Sequence, residues 1–313
     1  MGFRAGVCVI VYLKLVLTTM FWGGTFVAGR VLSRELGPFE AAFLRFFLAS
    51  LFLMAMTWKE TGQWLRLPRK NWPLVVLLGM TGVFAYNVFF FQGLKTVAAG
   101  RGALIIALNP VGIALASALF MGERLTLQKA LGIAVCLCGA AVVLARGNPL
   151  ELLSGGLGLG ELCLLGCVLS WTLYSVLGKR ALGSLSPLQA VTGSCLAGAM
   201  LLLPFALAEG LPGHLADLEA SQWAGLAYLA VCGTGLGFSW YYQGLRAIGP
   251  TRAGVFINLV PVTAVTLGVV LLGESLSGTL VSGAALVVTG LFLTNTPRLR
   301  VRRVDWLKRG GCK

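Results

Sequence analysis

Gln92-Gly93-Leu94-Lys95 and Gln243-Gly244-Leu245-Arg246 are one stretch met twice, 151 residues apart. Read outward, the match runs without gaps from 92–139 onto 243–290. Arg101 falls on Arg252, Pro110-Val111 on Pro261-Val262, Gly122-Glu123 on Gly273-Glu274, and Gly132 on Gly283. Positions 92–142 share 14 identities with 243–293, and Phe89-Phe90-Phe91 meets Trp240-Tyr241-Tyr242. A repeat this long is not a solenoid period but a duplicated half-protein.

Both halves belong in a bilayer. Of 313 residues, 57% are hydrophobic and 12% charged, and the mean hydropathy is +0.86. So few charges cannot make the surface of an ordinary soluble fold. A membrane span needs about 20 apolar residues. Ten such stretches are predicted, at 15–34, 38–58, 73–94, 98–121, 126–145, 157–178, 186–208, 222–243, 249–272 and 277–296. The residues before the first are read as its lead-in, since no cleavage site for a signal peptide follows them.

The net charge of +14 would suit a nucleic-acid partner, but its distribution argues for a membrane and against nucleic acid. With the N-terminus inside, 19 of the 25 basic residues lie on the inner side, seven of them in the tail 297–313. Arg30, Arg34, Lys95, Arg101 and Arg146 lie outside, and Arg45 lies within a span. This is the positive-inside bias that orients membrane proteins, and it puts both termini in the cytoplasm. Five spans per half is an odd number, so the second half enters the membrane upside down. The joins agree: Gly122-Glu123-Arg124-Leu125-Thr126 is basic, whereas Gly273-Glu274-Ser275-Leu276-Ser277 carries no cation. The predicted fold is an all-α membrane protein of ten transmembrane helices in two inverted-topology five-helix repeats. Residues 15–145 form the first, 157–296 the second, and 297–313 a basic cytoplasmic tail. Inverted repeats can exchange conformations, a physical basis for alternating access.

Nothing in the chain reads as an enzyme, a metal site or a cofactor site. The close cysteine pairs, Cys136/Cys138 and Cys163/Cys167, lie inside spans without zinc spacing and read as packing residues. The single histidine, His214, excludes sites that need two.

Candidate binding residues are polar or aromatic groups in apolar spans. Pro110 and Pro261 hold matching places, and each removes an amide donor and crowds the carbonyl four residues back. Helix breaks at corresponding points of two halves mark a midplane substrate site, with Asn109 and Asn258 beside them. A packing kink is the rival reading. Trp22 and Thr25 in one half, and Trp171, Tyr174 and Ser175 in the other, share a helical face by their spacing. Tyr86, Asn87, Phe90 and Tyr241 add aromatic and amide groups from two further spans, a lining suited to an amphipathic small molecule. Intramembrane charge needs a reason. Arg45 reads as a structural charge that fixes helices, snorkels outward or pairs with Glu35 or Glu40. Glu161, in the first turn of its span, reads either as a helix-dipole residue or as a proton-coupling site.

Taken together, the motifs resemble those of the drug/metabolite transporter superfamily, in its ten-helix EamA-type branch. They are Phe21-Trp22-Gly23-Gly24-Thr25-Phe26, Pro38 with Leu44-Arg45-Phe46, Gln92-Gly93-Leu94, Asn109-Pro110 and Gly122-Glu123-Arg124-Leu125. The second half adds Gly160-Glu161, Ser170-Trp171-Thr172-Leu173-Tyr174, Gln243-Gly244-Leu245, Pro261-Val262 and Gly273-Glu274. The resemblance implies an exporter of amino acids or related metabolites in the bacterial inner membrane, with a cavity between the halves and protons as the candidate coupling ion. Glu123 and Glu274 are expected to serve the turns rather than a ligand. A multidrug or organic-cation exporter, and a non-transporting membrane accessory or sensor protein, remain the alternatives.

Overall fold

A computed structural model describes residues 2–121, 126–144, 157–248, 256–257 and 259–295. The join 122–125, Asn258, Arg252 and the basic tail lie outside the described residues. Among those described the chain is helical throughout, without strands. The first half runs α1 (Gly2–Glu35), α2 (Pro38–Thr61) and α3 (Trp72–Leu78). A π-helical segment (Gly79–Ala85) then leads into α4 (Tyr86–Thr96), followed by α5 (Ala99–Ile106), α6 (Asn109–Met121) and α7 (Leu127–Leu144). The second half has α8 (Leu159–Ala181), α9 (Pro187–Glu209), α10 (Leu211–Asp217) and α11 (Ala220–Tyr228). A second π-helical segment (Leu229–Leu236) follows, then α12 (Gly237–Ile248), α13 (Leu259–Leu272) and α14 (Gly278–Asn295).

Among the described residues, six helical stretches are long and apolar enough to cross a membrane: Ile10–Glu35, Pro38–Thr61, Arg69–Thr96, Ala99–Ala116, Leu159–Ala181 and Pro187–Glu209. Helices α7, α13 and α14 contribute shorter apolar runs. Large apolar side chains stand on the outer faces, with Leu119 78% and Met200 76% exposed. Such a surface requires lipid rather than water as its solvent. Trp58, Trp64 and Trp72 are exposed near helix ends, where aromatic rings favour the headgroup region.

The repeat is visible in the packing. Helices α2 and α9 occupy matching positions and pack on each other, as do α7 and α14. Both pairs run antiparallel: Thr57 near the end of α2 meets Thr192 near the start of α9, and Gln128 early in α7 donates to the Leu293 carbonyl late in α14. Along α7 and α14 the glycines let backbones touch; a Cβ on Gly139 would lie 2.7 Å from the Val287 nitrogen. Small residues allow this approach, and van der Waals packing is the force left when lipid is as apolar as leucine.

Two carboxylates clamp the halves together. Glu209, last in α9, accepts from the Phe39 and Glu40 amides at 2.9 and 3.0 Å. It supplies the N-cap that Gly37, lacking a side chain, cannot. Glu274 accepts from the Ala99 and Gly100 amides at 2.7 and 3.1 Å, capping α5. Both anions sit at the positive ends of helices.

Candidate functional site

Each half lends its first helix to the other. Helix α1 packs on α12, α13 and the second π segment, and α8 packs on α4, α5, α6 and the first π segment. Trp22 of α1 and Trp171 of α8 therefore meet at the centre, edge to face, with ring centroids 5.9 Å apart. Tyr86 lies 5.3 Å from Trp171, Tyr174 also 5.3 Å, and Tyr241 lies 5.1 Å from Trp22. Phe90 stacks on Tyr86 at 6.1 Å. Six residues named from sequence thus form one aromatic cluster drawn from both halves. Each such contact contributes about 0.5–1.5 kcal/mol beyond area burial.

Phe238 belongs to this cluster too, touching Trp22, Trp171 and Tyr174. It escaped the sequence reading, although its spacing from Tyr241 and Tyr242 is that of one helical face.

The polar candidates divide into satisfied and unsatisfied groups. The Thr25 hydroxyl donates to the Trp22 carbonyl and Ser175 to the Trp171 carbonyl, both within their own helices. The Trp22 indole donates to the Gly233 carbonyl at 2.9 Å. Asn87 donates to the Gly82 and Val83 carbonyls, loosened by the first π segment. By contrast, the buried Asn109 Oδ1 and Thr172 Oγ1 have no hydrogen-bond partner among the described residues, on the helices α6 and α8 that pack together. Asn109 starts α6 after the helix breaks at Ala107 and Leu108. Pro110 follows in the first turn, where its missing donor does no harm. Pro261 likewise stands in the first turn of α13 and is buried. Asn258 is outside the described residues.

Arg45 is buried and points inward. It reaches neither Glu35 nor Glu40, so the expected outward snorkel and carboxylate pairing are both replaced. Its Nη1 donates to Asn87 Oδ1 at 2.9 Å and its Nε to Thr234 Oγ1 at 3.1 Å. The sequence could not show this, because the helical faces presented by α4 and the second π segment depend on the extra residue in each π turn. Glu40 instead hydrogen-bonds the Gly37 amide and meets His214 at 2.8 Å.

Glu161 is buried in the first turn of α8 and pairs with Arg101 at 3.2 Å. Ten residues separate it from Trp171, about 15 Å along the helix axis, so it stands apart from the aromatic cluster. An open hollow lined by Ser33, Arg34, Glu35, Leu36, Gly37 and Lys95 is a further cavity at the helix ends. Among the described residues, no cluster of three His, Cys, Asp or Glu gathers to hold a metal.

Comparison with known proteins agrees with this architecture. The model of the EamA-like transporter family matches residues 9–145 and again 158–296. The chain is 31% identical to the "Probable terminal-alkyne amino-acid exporter" of Streptantibioticus cattleyicolor, over 92% of this chain and 94% of that protein. It is 29% identical to the "Uncharacterized transporter YyaM" of Bacillus subtilis (strain 168), over 94% and 96%. It is 28% identical to the "Probable amino-acid metabolite efflux pump" of Salmonella typhimurium, over 92% and 95%. A solved crystal structure superposes with a TM-score of 0.64 at 26% identity, covering 90% of this chain and 95% of that one.

Proposed function

The chain belongs to the EamA-like transporter family, and on that premise we propose that it exports amino acids or related small metabolites across the bacterial inner membrane by alternating access. Two inverted five-helix repeats, ten spans in all, rock against each other with both termini in the cytoplasm. The observation that carries the reading is the placement of Trp22 and Trp171, each on the first helix of its half, each packed on the other half. A solute held against this pair touches both moving bodies at once. Binding there is felt by either half, as exchange of access requires. The surrounding rings supply apolar walls, while Asn109 Oδ1 and Thr172 Oγ1 are acceptors that a solute's donors would satisfy. The printed names of the two exporter relatives support amino acids as the solute class. Protons are the proposed coupling ion.

Proteoliposomes loaded with radiolabelled amino acids provide the test. The wild type releases at least one of them faster than protein-free vesicles loaded in the same way, and faster still when an inwardly directed proton gradient is imposed. Trp171→Ala lowers that release by about tenfold or more, as the loss of a central aromatic anchor predicts. No release of any solute by the wild type would overturn the proposal in favour of a non-transporting membrane protein. Release of organic cations alone would favour the multidrug alternative.

A further inference from the structure

The geometry points to Arg45 as a docking group for the carboxylate of the transported solute, which makes the substrate class anionic or zwitterionic acids rather than amines. This inference rests on the transport reading above and names the chemistry of the same site. A guanidinium has five N–H donors and no acceptor. At Arg45, which is 4% exposed, two of them reach neutral oxygens: Nη1 the Asn87 amide and Nε the Thr234 hydroxyl. The Phe46 ring lies 5.2 Å from the guanidinium carbon. Among the described residues no carboxylate comes within ion-pair reach of Arg45, whereas the partly buried Arg101 has Glu161. A cation taken out of water without an anion is unfavourable by several kcal/mol, and neutral acceptors offset only part of that.

The Nη2 edge of the fork lies at Gly233 and Thr25, beside Trp22 of the aromatic cluster. A Cβ placed on Gly233 would lie 3.6 Å from Arg45 Nη2 and 2.7 Å from Thr25 Cγ2. The Gly233 carbonyl receives the Trp22 indole. Glycine at 233 thus lets Thr25 pack closely and leaves no side chain over the Nη2 edge. A carboxylate brought to the Nη2 edge as the packing around Thr25 opens would form the charge-assisted bonds for which a planar guanidinium is suited. Asn87 and Thr234 hold the fork in place from the two halves, and both sit at or beside a π segment. Asn87 is also uncharged, so the guanidinium retains its full positive charge for a solute; an aspartate there would neutralise it permanently.

The experiment compares radiolabelled amino acids with their carboxamides in proteoliposomes of the purified protein. The amide keeps size and amine but loses the anion. The wild type is expected to prefer the acid by roughly tenfold or more. Arg45→Gln erases that preference, but it could also unfold the protein. Asn87→Asp is the variant that avoids this ambiguity, because it gives Arg45 an internal partner. It keeps or raises the melting temperature while acid transport falls by roughly tenfold or more. A purely structural arginine predicts no change in the ratio of acid to amide in Asn87→Asp. Equal transport of acid and amide by the wild type, or an unaltered ratio in Asn87→Asp, overturns the assignment and leaves the transport reading intact. A wild type that carries neither compound nor any other solute overturns both.

Discussion

At the residue scale, Arg45, which is buried, and Arg101, which is partly buried, have opposite electrostatic circumstances. Arg101 is matched by Glu161 at 3.2 Å, so each charge compensates the other. Removing one partner of a buried pair costs about 3–5 kcal/mol, while replacing both with apolar side chains is close to neutral. Glu161→Gln is therefore expected to lower the melting temperature in detergent, and the double variant Arg101→Met, Glu161→Leu to recover it. If Glu161 also carries the coupling proton, the double variant regains stability but loses its response to a proton gradient. Full recovery of gradient-driven transport assigns the pair to structure alone. The exposure of these residues to each other was not legible in sequence, because hydropathy marks a charge as buried without naming its partner. The aromatic residues were more legible. Helical spacing singles out Trp22, Trp171 and Tyr174, and the aromatic content of two further spans singles out Tyr86, Phe90 and Tyr241.

At the element scale, the two π-helical segments do what regular helices could not. Gly79–Ala85 and Leu229–Leu236 stand at matching places in the two halves, each adding a residue to its helix without breaking it. The extra residue turns everything beyond it by about 100° relative to an uninterrupted helix. Without that turn, α4 would carry Tyr86, Asn87 and Phe90 away from Arg45 and Trp171. Deleting Thr81 should restore regular pairing and rotate this face outward. The expected outcome is a protein that inserts with unchanged helix content by circular dichroism yet shows no flux in proteoliposomes. Retained flux would show that the register of α4 is irrelevant to the site. Helix ends followed the chain more openly. Pro38 at the start of α2, and Ser186 with Gln189 at the start of α9, are cap signals by residue type. The caps supplied by Glu209 and Glu274 were hidden, since their recipients lie over a hundred residues away.

At the scale of the whole molecule, matching helices of the two halves pack antiparallel, and each half embraces the first helix of the other. Antiparallel mates place equivalent joins at opposite ends of the bundle. In a cysteine-free background, Thr126→Cys and Ser277→Cys should label from opposite faces of the membrane with an impermeant maleimide. Labelling of both from one face would contradict the inverted arrangement and remove the basis for alternating access.

The duplication, the membrane as solvent and the family were all legible along the chain, because repetition, hydropathy and motif spacing are properties of residue order. So were most aromatic candidates, since a helix converts spacing into a shared face. The inward turn of Arg45, its bonds to Asn87 and Thr234, the carboxylate caps between halves and the π segments emerged only on folding. Each depends on which helices become neighbours and in what rotation, and in lipid that choice rests on close packing and hydrogen bonding between surfaces whose hydropathy is nearly uniform.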